Sequence, residues 1–176
     1  GDRTLRLPRN LYLIGTMNTA DRSIALVDYA IRRRFSFLSI LPRVEVVEAF
    51  YEAPTQHEGN QAVAKRLADK VTALYREVYA LFDKVTDAHD IRIGHSYFLV
   101  KGTRPGDEDP LSLFDWADAI AFRFAFEVLP MLAEYRKERR LLDAATTIKV
   151  ADQTFSLLLR EQNETWAAVQ AWLAQE

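Results

Sequence analysis

The stretch "LIGTMNTADRSIALVDYAIRRRFSF", residues 13–37, decides how this chain begins to fold. Residues 11–16 form a largely apolar run, which is typical of a buried parallel strand. The run stops at a polar cluster that includes Asn18 and Asp21. A short amphipathic helix pattern follows and ends in three consecutive arginines, where cations suit the C-terminal end of the helix dipole. Residues 35–41 then predict a second strand, so the stretch indicates a strand–helix–strand unit.

The polar cluster has two interpretations. Polar residues at the carboxyl end of a buried parallel strand are the usual location of ligand chemistry in α/β sheets. Asn18 can donate and accept hydrogen bonds there, and Asp21 can orient a water molecule or hold a cation. The same residue types also form an Asx turn followed by a helix cap, which needs no ligand. The residues of the cluster leave both interpretations open.

The basic residues of the chain are concentrated near its N-terminus. The 176 residues include 23 Lys and Arg against 25 Asp and Glu, for a net charge of −2. Residues 1–43 hold eight basic and three acidic side chains, whereas the remainder holds fifteen and twenty-two. A basic head on an acidic body favours an anionic partner for the head, although arginines that simply solvate an exposed helix end give the same pattern.

The composition excludes several classes of protein. Hydrophobic residues make up 49%, enough for a substantial core, and the absence of cysteine excludes disulfide frameworks and thiolate zinc sites. The three histidines, His57, His89 and His95, have no metal-ligand spacing, so no metal site is expected. Because no apolar run approaches membrane-span length and no signal peptide is visible, we expect a cytoplasmic protein with no membrane partner.

After Pro42 the chain is mostly helical in pattern. Apolar spacings of three and four predict a long amphipathic helix over about 62–85, whose stripe we assign to core packing. A capping box of Ser112 and Asp115 opens a later helix, which Pro130 is expected to kink or restart. The other predicted elements are helices at 44–53, 113–139 and 153–175, and a β-like piece at 146–150.

Four motifs in order resemble one family. MNTADRS (17–23) and DYAIRRRF (28–35) resemble the AAA+ NTPases, and within them the McrB-type GTPases of modification-dependent restriction systems. RIGHSYF (92–98) is similar to a motif of the family's helical lid, and FEVLPMLAEY (126–135) to a lid-helix pattern with its proline in place. Together these motifs cover about residues 10–136.

The resemblance implies a role for each motif residue. Asn18 falls at the sensor-1 position, where a side-chain amide positions the water that attacks the γ-phosphate, and Asp21 helps to hold that water. Arg33 and Arg34 fall at the arginine-finger position, where a guanidinium from the neighbouring subunit stabilises the transferred phosphoryl group. Arg92 and His95 are candidate nucleotide sensors on the lid, although His95 also fits a hydrogen-bonded packing residue at a glycine turn.

The resemblance also implies the fold class. We expect a mainly α protein, with a short α/β remnant of an AAA+ core (two strands and a helix) followed by a helical lid. The predicted domains are 1–43, the C-terminal piece of the core, 44–139, the lid, and 140–176, a helical extension without an assigned function. In the family the phosphate-loop strand lies between the two strands. We therefore expect residues 1–43 to pair with each other non-natively, to pair with another chain or to be partly disordered.

The implied function is that of part of a motor subunit. The chain contains no G-x-x-x-x-G-K-[ST] loop and no Asp-Glu strand before residue 10, so we expect it to be inactive alone and to bind no cofactor tightly. The parent is expected to use GTP or ATP with Mg²⁺, to form a homo-oligomeric ring and to drive an endonuclease subunit. DNA contact is expected to be indirect, through a domain not present here. The alternative is a non-enzymatic helical interaction module that retains AAA+ motifs.

Overall fold

The mainly α fold class is confirmed by the structure. The chain divides into two compact units, Gly1–Ser39 and Ile40–Glu176. Helices dominate the second unit, which also contains one two-stranded sheet. The computed structural model describes residues 8–16, 29–53, 61–86, 88, 91–101, 111–138 and 146–175.

The first unit contains a short helix, α1 (Tyr29–Arg32), but not the two predicted strands. Residues 11–16 and 35–41 carry no strand pairing in the described structure, so both strand predictions are wrong here. Apolar side chains of these segments face solvent, with Ile14 94% exposed and Leu38 88% exposed. A strand needs a neighbour that pairs its backbone N–H and C=O groups, and neither segment has one among the described residues.

The second unit is built around the predicted long helix. Its elements are α2 (Val44–Glu52), α3 (Gln61–Ala80), α4 (Leu113–Arg123), α5 (Leu129–Lys137) and α6 (Gln162–Ala174), with strands β1 (Thr147–Val150) and β2 (Gln153–Ser156). The apolar stripe of α3 is fully buried at Leu67, Val71, Leu74 and Val78, because spacings of three and four keep one helix face toward the core. Helix α2 packs along α3.

The start of α4 confirms the predicted capping box. The Asp115 backbone N–H donates to Ser112 Oγ (3.2 Å), and the Ser112 backbone N–H donates to Asp115 Oδ2 (3.1 Å). These two bonds satisfy donors that the first helical turn otherwise leaves unpaired. The sequence signal was sufficient because both partners are local.

The predicted distortion at Pro130 takes the form of a π turn, Phe124–Val128, between α4 and α5. Proline has no N–H, so the carbonyl five residues earlier, that of Ala125, receives no bond from it. The Gln162 side chain of α6 supplies the missing donor, with Nε2 2.9 Å from the Ala125 oxygen. The helix therefore continues through the proline with help from a distant glutamine.

The C-terminal segment begins with a β-hairpin. Strands β1 and β2 pair antiparallel, with Thr147 opposite Ser156 and Val150 opposite Gln153. The β-like piece at 146–150 is confirmed, whereas the helix predicted from 153 begins only at Gln162. Buried side chains alternate along the hairpin and pack against α3 and α6, so tertiary contacts override the helical pattern. Ala151 occupies the turn with φ 54°, a left-handed conformation.

Candidate functional site

The motif RIGHSYF lies in a non-helical segment, residues 91–100, that we name the lid segment. Only the short 3₁₀ turn His95–Phe98 is regular within it. Ile91, Ile93, Phe98 and Val100 are buried, so part of its backbone lies in the core. Backbone polar groups in such a place need hydrogen-bond partners, and side chains of the surrounding helices supply them.

Two buried tyrosines form hydrogen bonds with the backbone of the lid segment. Tyr51 of α2 donates its hydroxyl to the Phe98 carbonyl (2.7 Å) and accepts from the Val100 N–H (3.4 Å). Tyr75 of α3 donates to the Ile93 carbonyl (2.9 Å). Burial raises the pKa of both phenols well above the usual value, so both remain protonated donors at any physiological pH.

Arg123, near the end of α4, holds the same segment from another side. Its Nη1 donates to the carbonyls of Leu99 (2.9 Å) and Ser96 (3.3 Å). Sequence analysis did not single out this arginine. The available signal was its position three residues after Ile120, which lies fully buried on the same helix.

Arg92, predicted as a lid sensor, is attached to the end of α3. Its Nη1 donates to the Tyr79 carbonyl (2.9 Å), and its Nη2 forms an ion pair with Asp83 (3.0 Å). The guanidinium carbon lies 3.9 Å from the centre of the Tyr79 ring, a cation–π arrangement. These contacts anchor Arg92, the first residue of the motif, to the end of α3.

His95, the second predicted lid sensor, contacts the start of α2. Its Nδ1 accepts a hydrogen bond from the backbone N–H of Arg43 (3.4 Å), which is the residue before the first turn of α2. Burial lowers the pKa of the imidazole, so the neutral form is favoured. Since Nδ1 accepts, we assign the ring proton to Nε2. The alternative prediction of a hydrogen-bonded packing residue matches this arrangement.

The predicted arginine fingers lie in the first unit. Arg33 and Arg34 follow α1 in a turn, which is closed by a bond from the Arg34 N–H to the Ile31 carbonyl (2.9 Å). Both arginines are exposed. Asn18 and Asp21, predicted to act on the attacking water at the subunit's own nucleotide, lie outside the described residues.

The described residues offer no cluster of three or more His, Asp or Glu side chains that could hold a metal ion. Among the helices that the structure describes, none has both the length and the apolar character needed to cross a membrane.

The comparisons with known proteins give one relative. The chain is similar to the Type IV methyl-directed restriction enzyme EcoKMcrB subunit of Escherichia coli K12, with 36% identity over 132 residues. The match takes in 73% of this chain but only 26% of that relative, so the chain spans about a quarter of its length. No family model and no solved structure matches the chain. The four motifs and this identity together show that the chain belongs to the McrB-type AAA+ proteins.

Proposed function

We propose that this chain forms the sensor-1, arginine-finger and lid portion of a cytoplasmic McrB-type motor subunit. In this proposal the subunit hydrolyses GTP or ATP with Mg²⁺, assembles into a homo-oligomeric ring and drives an endonuclease partner on DNA. The observation that carries the proposal is the identity to the restriction enzyme subunit over most of this chain. The motifs around Asn18, Arg33 and His95 support it, because they follow one another along the chain in the order that the family has.

Arg33 and Arg34 are proposed to act on the nucleotide of a neighbouring subunit. Their exposure in the turn after α1 supports this role, because a residue that reaches across an interface must be accessible. A guanidinium stays charged at any physiological pH and spans two phosphate oxygens. Asn18 is proposed to act within its own subunit, on the water that attacks the γ-phosphate.

The lid segment is proposed to respond to nucleotide through its position rather than through flexible side chains. Its backbone is held by Tyr51, Tyr75 and Arg123, which suits a part that moves as a rigid body with the lid. Arg92 and His95 remain candidates for nucleotide contact within this rigid segment. Because Arg92 is attached to α3 and His95 to α2, a movement of these residues is passed on to the two helices.

The test uses a subunit in which these residues are joined to a phosphate-binding loop. Arg33→Ala or Arg34→Ala is expected to spare nucleotide binding and to lower turnover on the order of 10³-fold, the size typical of the loss of an arginine finger. Asn18→Ala is expected to cause a similar loss. Turnover of the nucleotide and calorimetric binding are the measurements.

Mixing the two variants separates action in trans from action in cis. Mixed rings contain interfaces that join an intact Asn18 to intact arginines, so activity is expected to return in part. Co-purification of the two variants, each carrying a different affinity tag, establishes that mixed rings form. If such rings stay as inactive as either variant alone, the trans assignment of Arg33 and Arg34 is wrong.

A further inference from the structure

Helix α4 leaves two large aromatic side chains in solvent. Phe114 is 60% exposed and Phe122 is 48% exposed. They are eight residues apart, close to two helical turns, and therefore lie on the same side of the helix. A packed helix normally turns its large apolar side chains toward the core, and a contiguous exposed apolar patch marks an interaction surface.

The patch extends onto the π turn and α6. The Phe122 and Phe126 ring centres are 4.8 Å apart, and the Phe126 and Trp166 ring centres are 6.0 Å apart. Phe126 and Trp166 are both partly buried, so they join Phe122 to the core. The aromatic face consists of Phe114, Asp118, Phe122, Phe126, Trp166 and Gln170.

A carboxylate lies between the two exposed rings. Asp118 is one helical turn from Phe114 and one from Phe122. Its Oδ1 accepts hydrogen bonds from Trp166 Nε1 (3.1 Å) and Gln170 Nε2 (2.7 Å). No described residue donates to Oδ2. The two bonds fix the orientation of the carboxylate and leave one oxygen for a further donor.

The combination of rings and an oriented carboxylate fits an arginine side chain. A guanidinium is planar, stacks on aromatic rings and donates to carboxylate oxygens, so one side chain satisfies both features. The unit Ile40–Glu176 contains 16 Lys and Arg against 22 Asp and Glu, which favours a basic ligand and disfavours phosphate groups. Aromatic and arginine side chains are also the residues that dominate binding energy at protein interfaces.

We propose that the aromatic face docks a segment of a different protein, in which an arginine stacks on Phe122 and pairs with Oδ2 of Asp118. Apolar side chains beside that arginine cover Phe114 and Phe126. None of the residues of the aromatic face is among those proposed to act on nucleotide.

A displayed library of random dodecapeptides tests this proposal on the full chain. The chain is immobilised, and peptides that also bind the Phe122→Ser variant are removed. The expected result is enrichment of peptides that contain arginine beside apolar residues. A synthetic peptide from the pool is then titrated while the indole N–H signal of Trp166 is followed by NMR.

Matched variants decide the outcome. Asp118→Asn in the chain and Arg→Gln in the peptide are each expected to weaken binding about tenfold, and Phe114→Ser provides a second exposed ring variant. Leu159→Ser, which removes an exposed apolar side chain outside the aromatic face, is expected to leave binding unchanged. Circular dichroism establishes that each variant is folded.

Three results overturn the proposal. One is a library without arginine enrichment, and another is binding that Phe122→Ser or Asp118→Asn leaves unchanged. The third is concentration-dependent self-association of the chain that Phe122→Ser abolishes, measured by sedimentation velocity, because a second copy would then be the occupant.

Discussion

At the scale of single residues, the lid segment depends on hydroxyl and guanidinium groups that come from elsewhere in the chain. The Tyr51 hydroxyl serves the Phe98 carbonyl and the Val100 N–H at once. The sequence motif alone draws attention to Arg92 and His95, which lie within it. The residues that hold it lie 18 to 49 positions away along the chain. The bond from Tyr75 to Ile93 spans the shortest of these separations and the bond between Tyr51 and Val100 the longest.

Tyr51→Phe is expected to lower the free energy of unfolding by about 1–3 kcal/mol, because it leaves a buried carbonyl and a buried N–H without this partner. Denaturation with urea measures the change. Tyr97→Phe is the matched control, since Tyr97 lies in the same segment and its hydroxyl forms no hydrogen bond with a described residue. An equal loss in both variants would contradict the role given to Tyr51.

The His95 imidazole predicts a dependence of stability on pH. Burial holds its folded-state pKa below 6.5, the usual value, so at pH above 6.5 the ring is neutral in both folded and unfolded chains. As pH falls through 6.5 the unfolded chain takes up a proton first, so the free energy of unfolding decreases and then levels off below the folded-state pKa. His95→Gln is expected to lose this decrease.

Thermal unfolding of the two proteins between pH 5 and pH 8 makes the comparison. Both proteins contain the other two histidines, so the difference between the two curves isolates His95. Parallel curves would show that burial does not lower the pKa of His95.

At the scale of elements, the α4–α5 junction shows how one helix completes another. Pro130 lacks the N–H that the Ala125 carbonyl needs, and Gln162 of α6 provides it. The proline motif of the sequence therefore predicts a distortion, but the residue that stabilises the distortion comes from a separate helix. The hairpin before α6 is similar, because its strands form where they pack on α3 and α6.

Gln162→Ala is expected to lower the free energy of unfolding by about 1 kcal/mol, since the Ala125 carbonyl loses its donor. In a Pro130→Ala background the restored backbone N–H replaces that donor, so the same change is expected to cost less. A double-mutant cycle measured by thermal unfolding gives the coupling between the two positions. Additive losses would mean that Gln162 acts independently of the proline.

At the scale of the whole molecule, the buried core belongs to one unit. Every buried hydrophobic residue of the described chain lies between Val47 and Leu173. The segments 11–16 and 35–41 of the first unit expose their apolar side chains instead. Among the described residues, therefore, no buried side chain of the first unit contributes to this core.

Residues 40–176 are expected to fold without residues 1–39 and to unfold cooperatively at the same temperature as the full chain. Removal of the exposed apolar segments is also expected to reduce aggregation, because unpaired strand-forming segments promote association. Circular dichroism and light scattering measure the two effects. A truncated chain without cooperative unfolding would show that the core needs the first unit.

The sequence by itself determined the features that depend on neighbours along the chain. These are the long helix α3, whose periodicity is local, the capping box at Ser112, the distortion at Pro130 and the family motifs around Arg33 and His95. Each of these features depends on residues only a few positions apart, so it can be predicted without knowledge of distant contacts.

Only the tertiary structure decided the features that depend on distant partners. It placed Arg92 on Tyr79, brought Tyr51 and Arg123 to the lid segment, and left 11–16 and 35–41 without a strand partner among the described residues. The physical reason is that a strand or a buried polar group is stable only when another part of the chain supplies its hydrogen-bond partners, and sequence periodicity carries no record of which part does so.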